Sequence, residues 1–384
     1  MAQKAPEKKD TESDSSFDYH IDQFLEMMVE NRASDLIIKV GSPPSFRIDG
    51  NIQKADMDPL TPEQTEKLAR DFIPEDEMEA LLNRQEYDGS YGIPDVGRFR
   101  VNAFLQRESV GIVFRHIEDE IFSFDELNLP ESVEKLPYIE RGMVLVTGTT
   151  SSGKSTTLAS VIDYINEHMS KHVVTIEDPI EYVHDDKKSV ITQREVGLDT
   201  DSFADGVKFV LRQDPDIILL GEMRDQVTVE AAIEAAQTGH LVFSTLHTNT
   251  TAQTIDRLVE FFPNEEQERI RLVLSEYLMA VLGQRLLSRC DKDGMVPAVE
   301  VMFNTPIVQK LIAEDRVSKL HSAIHQGTND GMQTFDQSLL ALHEAGMIDD
   351  DEARKNCSKP DNWPMYKKGH FPDIDTGVLG GMGG

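Results

Sequence analysis

The stretch Gly148-Thr149-Thr150-Ser151-Ser152-Gly153-Lys154-Ser155 has the residue types and spacing of a phosphate-binding loop. Its glycines allow successive backbone N–H groups to curl around an anion. The start of the following helix adds positive potential at the same place. Lys154 supplies a cation for the β- and γ-phosphates of a nucleotide, and Ser155 offers an oxygen to Mg²⁺. Thr156 extends the binding stretch into the helix. The chemistry this implies is phosphoryl transfer from ATP with Mg²⁺ as cofactor.

Such a loop needs carboxylates at the ends of neighbouring strands, and two clusters qualify. One is Glu177-Asp178-Pro179-Ile180-Glu181, and the other is Gly221-Glu222-Met223-Arg224-Asp225 after an apolar run. Glu222 is the candidate acid beside the metal, usually reached through water. Glu181 is the candidate base or water-orienting group. Glu177 and Asp178 join Ser155 and Glu222 as candidate metal ligands. His240 precedes the apolar run Leu241–Thr245 and His247 follows it. No third ligand has the spacing for a metal site, so a γ-phosphate-sensing or hydrogen-bonding role fits the histidines better. Arg98, Arg100, Arg107 and Arg115 lie early in the chain, and Arg194, Arg212 and Arg224 later. Arginine delivered across an interface stabilises phosphoryl-transfer charge.

These side chains require a particular frame. Met143–Thr147, Val173–Ile176, Ile217–Leu220 and Leu241–Thr245 are short continuous apolar runs separated by helical patterns. That alternation predicts a parallel sheet covered on both faces, an α/β core. Leu158, Val161, Ile162, Ile165 and Met169 mark one face of the helix after the phosphate loop. Ahead of this core, helical spacing from Ile21 to Val29, strand patterns at 36–40, 46–50, 98–104 and 111–115, and a helix over 61–72 predict a small α+β domain. The expected organisation is a disordered segment over 1–17, the α+β domain over 18–117, a connector over 118–139, the ATPase core with its C-terminal helices over 140–349, and a flexible tail over 350–384. Within the core, residues 254–289 are expected to be mainly helical, with an interruption near Pro263.

Composition narrows the partners. The 384 residues carry 38 Lys and Arg against 69 Asp and Glu, a formal net charge of −31. That balance argues against broad binding to nucleic acid or anionic lipid. The cysteines Cys290 and Cys357 fit no zinc or disulfide framework, so a reducing cytoplasm is the default. Residues 1–16 lack the apolar run of a signal peptide, and no stretch approaches a membrane span. The expectation is a cytoplasmic protein whose attachment to a membrane goes through a partner.

Taken together, Gly148–Ser155, Glu177–Glu181, Gly221–Asp225 and Thr238-Gly239-His240 through Leu246-His247-Thr248 resemble the Walker A, Asp box, Walker B and His box of the PilT/PilU family of type IV pilus retraction ATPases. Arg98–Asn102 is similar to the family's N-terminal domain, and Gly331–Asp336 to its C-terminal helices. The resemblance covers residues 20–348. It implies a PAS-like N-terminal domain joined to a RecA-like P-loop core, a homohexameric ring, and ATP held between the two domains. It implies that Glu181 is the catalytic glutamate, Glu222 the Walker B acid and His240 the His-box residue, and that Arg98 and Arg115 approach the nucleotide. A PilT-type ATPase and the pilus inner-membrane platform protein are the implied partners, placing the chain at the inner membrane beneath the pilus.

One departure separates two kinds of member. PilT-type members carry Ala-Ile-Arg-Asn-Leu-Ile-Arg-Glu after an Asn-Thr-Pro. Here Asn304-Thr305-Pro306 is followed by Ile307-Val308-Gln309-Lys310-Leu311-Ile312-Ala313-Glu314, without either arginine. The tail beyond Asp350, with Trp363, is also longer. Both features are similar to the PilU-like accessory members. Two rivals remain: a pilus assembly or type II secretion ATPase, disfavoured by the missing four-cysteine module, and a non-hydrolysing nucleotide-binding adaptor, disfavoured by the intact acids.

Overall fold

The computed structural model describes residues 19–48, 50–83, 86–94, 96–117, 120–372 and 374. The segment 1–17 expected to be disordered and the terminal glycines lie outside the described residues. The chain forms two compact units, dividing after Asp119.

The first unit is α+β. It runs α1 (Ile21–Glu30), β1 (Asp35–Ile38), β2 (Ser45–Ile48), β3 (Asn51–Lys54), α2 (Pro62–Arg70), α3 (Glu75–Leu82), β4 (Tyr87–Ile93), β5 (Gly97–Gln106) and β6 (Ser109–Ile117). Local sequence starts the helices: the His20 side chain caps α1, and Thr61 and Gln64 form a capping box around Pro62 at the head of α2. The six strands are ordered β3-β2-β1-β6-β5-β4, antiparallel throughout. Ile21, Phe24, Leu25 and Met28 of α1 are buried with Leu36, Phe99, Val101 and Phe114 of the sheet. Alternation along β5 puts Phe99, Val101 and Ala103 inward, the period of a sheet covered on one face.

The second unit is α/β with a RecA-like centre. Its elements are β7 (Gly142–Thr147), α4 (Lys154–His168), β8 (His172–Glu177), β9 (Val190–Glu195), α5 (Phe203–Val210), β10 (Ile217–Leu220), α6 (Gln226–Gln237), β11 (Leu241–Leu246), α7 (Thr251–Glu260), α8 (Asn264–Tyr277), β12 (Leu278–Ser288), β13 (Met295–Phe303), α9 (Pro306–Ala313), α10 (Leu320–Gln326), α11 (Phe335–Glu344), α12 (Asp350–Asn356) and α13 (Trp363–Tyr366). The seven strands are ordered β13-β12-β7-β11-β10-β8-β9, parallel except for the β12–β13 hairpin. Every residue of β7, β10 and β11 is buried, which is why these strands read as unbroken apolar runs. Because β7, β8, β10 and β11 run in one direction, their C-terminal ends share one edge of the sheet.

Three stretches differ from the sequence reading. Residues 278–288, expected to continue a helix, form β12, which pairs with both β7 and β13. An apolar segment suits helix or strand locally, and here sheet pairing decides. In the connector, Phe124, Val133 and Leu136 pack into the core of the second unit against β7 and α4. Over 350–372 the tail, expected to be flexible, is packed. Ala353, Cys357, Trp363 and Tyr366 are buried with Leu287, Val296 and Ala298 of the hairpin. Asp350 anchors this arrangement, accepting from Trp363 Nε1 at 3.0 Å and Lys367 Nζ at 2.6 Å.

Candidate functional site

The phosphate loop leaves the end of β7 and enters α4. Gly148 has φ +153°, and a Cβ there would collide with the Gln284 carbonyl and the Ser152 side chain. Gly153, the residue before α4, sits at φ +87° in the left-handed region, which glycine occupies without strain. No side chain among the described residues caps α4, so its first N–H groups point into the loop. Ser152 Oγ is buried without a hydrogen-bond partner among the described residues. A cradle of free donors that excludes a Cβ fits a bound phosphate.

Lys154 is folded back into this cradle, donating to the Gly148 carbonyl at 3.1 Å and the Thr149 carbonyl at 2.9 Å. Burial pulls its ammonium below the ordinary lysine range, and the charges of Glu222 and Glu181 push it back up. Lys154, Glu222 and Glu181 are thus brought into one electrostatic neighbourhood. Ser155 is half-buried in the first turn of α4. Thr156 shares a hydrogen bond with the Tyr182 hydroxyl at 2.8 Å, tying α4 to the loop that carries Glu181. Thr149, Thr150 and Ser151 form the exposed lip of the loop.

Glu222 follows β10. Its Oε2 lies 2.9 Å from Arg224 and its Oε1 3.2 Å from His247 Nε2. Asp178 faces the same arginine at 3.7 Å. The neighbouring Asp225 has another task, capping α6 by accepting from the Thr228 N–H at 2.8 Å. Glu181 is exposed. Glu177 is engaged within its own sheet: its Oε1 accepts from Thr175 Oγ1 at 2.6 Å and Gln193 Nε2 at 3.3 Å. Burial raises its pKa, opposed by these bonds and by the Glu181 backbone N–H.

The two histidines separate. His247 stands at the C-terminal end of β11 beside Glu222. His240 stands at the other end, where its carbonyl accepts from Gly142 N at the start of β7. Its Nδ1 lies 3.0 Å from the Ala235 carbonyl and 3.1 Å from Thr238 Oγ1, folded against the end of α6. The intervening strand puts about 20 Å between His240 and the phosphate-loop edge. The structure therefore does not bring His240 to the site. The residue there is His247, identifiable from sequence as the histidine after the apolar run rather than before it.

Arg98 and Arg115 belong to the first unit. Arg115 pairs with Asp35 at 2.9 Å, which also holds Arg47 at 3.2 Å. Arg98 donates to Ser90 Oγ at 2.8 Å. Among the described residues, no group of three or more His, Cys, Asp or Glu is arranged to hold a metal. The donor set at the edge, one hydroxyl and dispersed carboxylates, suits Mg²⁺ held largely by nucleotide phosphates and water rather than a calcium- or zinc-type cage.

The family model described as Type II/IV secretion system protein matches residues 10–368. The chain is 44% identical over 343 residues to the type IV pilus retraction ATPase PilT of Pseudomonas aeruginosa, covering 89% of this chain and 99% of that protein. It is 40% identical over 355 residues to the type IV pilus ATPase PilU of the same organism, covering 92% and 93%. A crystal structure of the pilus retraction motor PilT with bound ADP superposes with a TM-score of 0.84 at 44% identity, over 90% of this chain and 99% of that one.

Proposed function

The chain belongs to the type II/IV secretion system protein family as an ATPase of the PilT/PilU pilus retraction kind, and from that premise we propose how its residues work and where it acts. ATP binds with its phosphates in the Gly148–Ser155 cradle. Lys154 exchanges its loop carbonyls for the β- and γ-phosphate oxygens. Glu181 orients the attacking water and takes its proton. Glu222, held by Arg224 and His247, is the acid beside the metal. Ser155 and Glu222 are the residues that would hold Mg²⁺, which neutralises phosphate charge. Arg98 and Arg115 are the proposed cations from the first unit.

The observation that carries this reading is that Lys154, Glu181 and Glu222 follow the parallel strands β7, β8 and β10, whose C-terminal ends share one sheet edge. Glu181→Gln keeps shape and removes the base. Phosphate release is expected to fall by about 10²-fold with ATP binding retained. Loss of nucleotide binding instead would give Glu181 a different role.

The assembly is proposed to be a hexameric ring on the cytoplasmic side of the inner membrane, meeting the pilus platform protein. A head-to-tail interface that closes generates such a ring. No described helix is long and apolar enough to cross a membrane. Light scattering with ATP and Mg²⁺ is expected to show hexamers at micromolar protein, and monomer alone would refute the ring.

Within the family the accessory, PilU-like role is proposed. Identity does not separate the two relatives, at 44% and 40%. The support is α9, where exposed Gln309 and half-buried Ala313 occupy the positions of two arginines in PilT-type members. Losing two cations from one helix weakens docking to an acidic partner surface. Cells lacking the PilT-type ATPase but containing this chain are expected not to retract pili. Normal retraction there would make it a self-sufficient motor.

A further inference from the structure

The loop carrying Glu181 is fastened from the edge strand β9 at alternate residues. β9 runs parallel to β8, with Gln193 opposite Thr175 and Glu195 opposite Glu177. Gln193 and Glu195 are two residues apart, so they share one face of the strand. Glu195, buried, accepts from the Ile180 N–H at 3.3 Å. Gln193 Nε2 donates to the Tyr182 carbonyl at 2.8 Å, and its Oε1 accepts from the His184 N–H at 2.9 Å. Residues 180, 182 and 184 are thereby held inward, while Glu181 and Val183 between them are exposed.

The same amide reaches the loop's other end. Gln193 Nε2 also donates to Glu177 Oε1 at 3.3 Å, so the amide holds the side chain at the start of the loop as well as the backbone after Glu181. A side-chain amide is suited to this because it presents donors and an acceptor together, so one group can hold a carboxylate, a carbonyl and an N–H. Residue 181 is thus flanked on both sides by groups that a single side chain braces. Neither the phosphate-loop chemistry nor the acid clusters require this glutamine.

We propose that Gln193 is a positioning residue for the hydrolytic step: its amide, reaching across from β9, fixes the backbone that follows Glu181 and the Glu177 carboxylate that precedes it, and so aims the Glu181 carboxylate. The proposal rests on Glu181 being the water-orienting base. It concerns turnover and not nucleotide capture, because none of the groups Gln193 touches belongs to the phosphate cradle. Misplacing a catalytic group by about an ångström costs up to 10²-fold.

The test uses the full-length protein with Gln193→Leu, which removes every bond, and Gln193→Glu, which keeps size and acceptor but removes the donor. Both are expected to lower kcat about tenfold or more with ATP affinity within twofold of wild type. In a Glu181→Gln background, Gln193→Leu is expected to add almost nothing, since the group it aims is already gone. Three results would overturn the proposal: wild-type kcat in folded Gln193→Glu, loss of ATP affinity in place of kcat, or a full tenfold further loss in the double variant. A Glu181→Gln single variant with normal turnover refutes the base reading itself. Normal turnover in Gln193→Glu beside an inactive Glu181→Gln refutes only the role of Gln193.

Discussion

His240 and His247 bracket the same strand, β11, and belong to the same sequence motif, yet they inhabit opposite ends of the sheet. His240 is folded onto the end of α6, bonded to a carbonyl and a hydroxyl of its own helix-to-strand turn. His247 faces the Glu222 carboxylate at 3.2 Å, on the edge where the phosphate loop leaves β7. Residue type is equal in the two cases, so chain direction makes the difference. In a parallel sheet with crossover helices, only residues following strands reach the ligand edge, and residues preceding strands close turns at the far edge. A motif read as a string of letters loses that distinction.

The comparison predicts a division of labour: substitutions at the C-terminal edge change turnover, and those elsewhere change stability. The largest effect belongs to Lys154, the cation of the cradle. Lys154→Ala is expected to reduce phosphate release by about 10³-fold or more, with a melting temperature close to wild type. Turnover near wild type in the folded variant would remove the site from this edge.

The opposite behaviour is expected of Trp363, fully buried between the C-terminal helices and the β12–β13 hairpin. Trp363→Ala leaves a cavity and removes one of the donors to Asp350, an expected loss of about 3–5 kcal/mol in chemical unfolding. At a temperature where the variant stays folded, kcat per molecule is expected within twofold of wild type. A drop in kcat without a drop in stability would mean that this packing reaches the chemistry.

The histidines themselves give the sharpest contrast at smaller size. His247→Ala removes a partner of Glu222 and is expected to lower kcat by roughly 10- to 100-fold. His240→Ala is expected to change kcat by less than about twofold, its bonds being local to the α6–β11 turn. Equal losses in both would show that the strand's two ends are coupled, and a loss confined to His240 would invert the assignment.

Much of this was legible in the chain, and the failures share a cause. The phosphate loop and both acid clusters could be placed because each follows an unbroken apolar run, which in a sheet covered on both faces can only be a strand. The α+β unit was legible through alternation in β5 and the helical spacing of α1. Unreadable were features defined by what they pack against. β12 has the composition of a helix continuing α8, and only its pairing with β7 and β13 makes it a strand. α12 is short and polar, and α13 is a single four-residue turn. The buried residues of this segment, Ala353, Cys357, Trp363 and Tyr366, are spaced without a period and find their partners on the hairpin. Gln193 carried no signal, because its importance lies in bonds to a loop that precedes it in the chain.

A third histidine completes the comparison at the smallest scale. His184 lies in the Glu181 loop near the ligand edge, but among the described residues it has, unlike His247, no carboxylate within ion-pair distance, and its Nδ1 is buried without a partner there. Burial pushes its pKa down to about 4, with Asp163 pulling weakly upward and Lys187 adding to the fall. The unfolded chain titrates near the ordinary histidine value, about 6.5. Between those two values the unfolded state binds a proton that the folded state refuses, so stability falls as pH falls through the window and is whole above it. From pH 7.5 to 5.5 the expected loss from this residue is about 1 kcal/mol. Urea unfolding of wild type and His184→Gln at both pH values isolates it, since other titrating groups are common to both proteins. The wild type should lose about 1 kcal/mol more than the variant over that interval. An equal loss would mean that His184 is protonated in the folded protein and that the loop tolerates a cation beside Gln193.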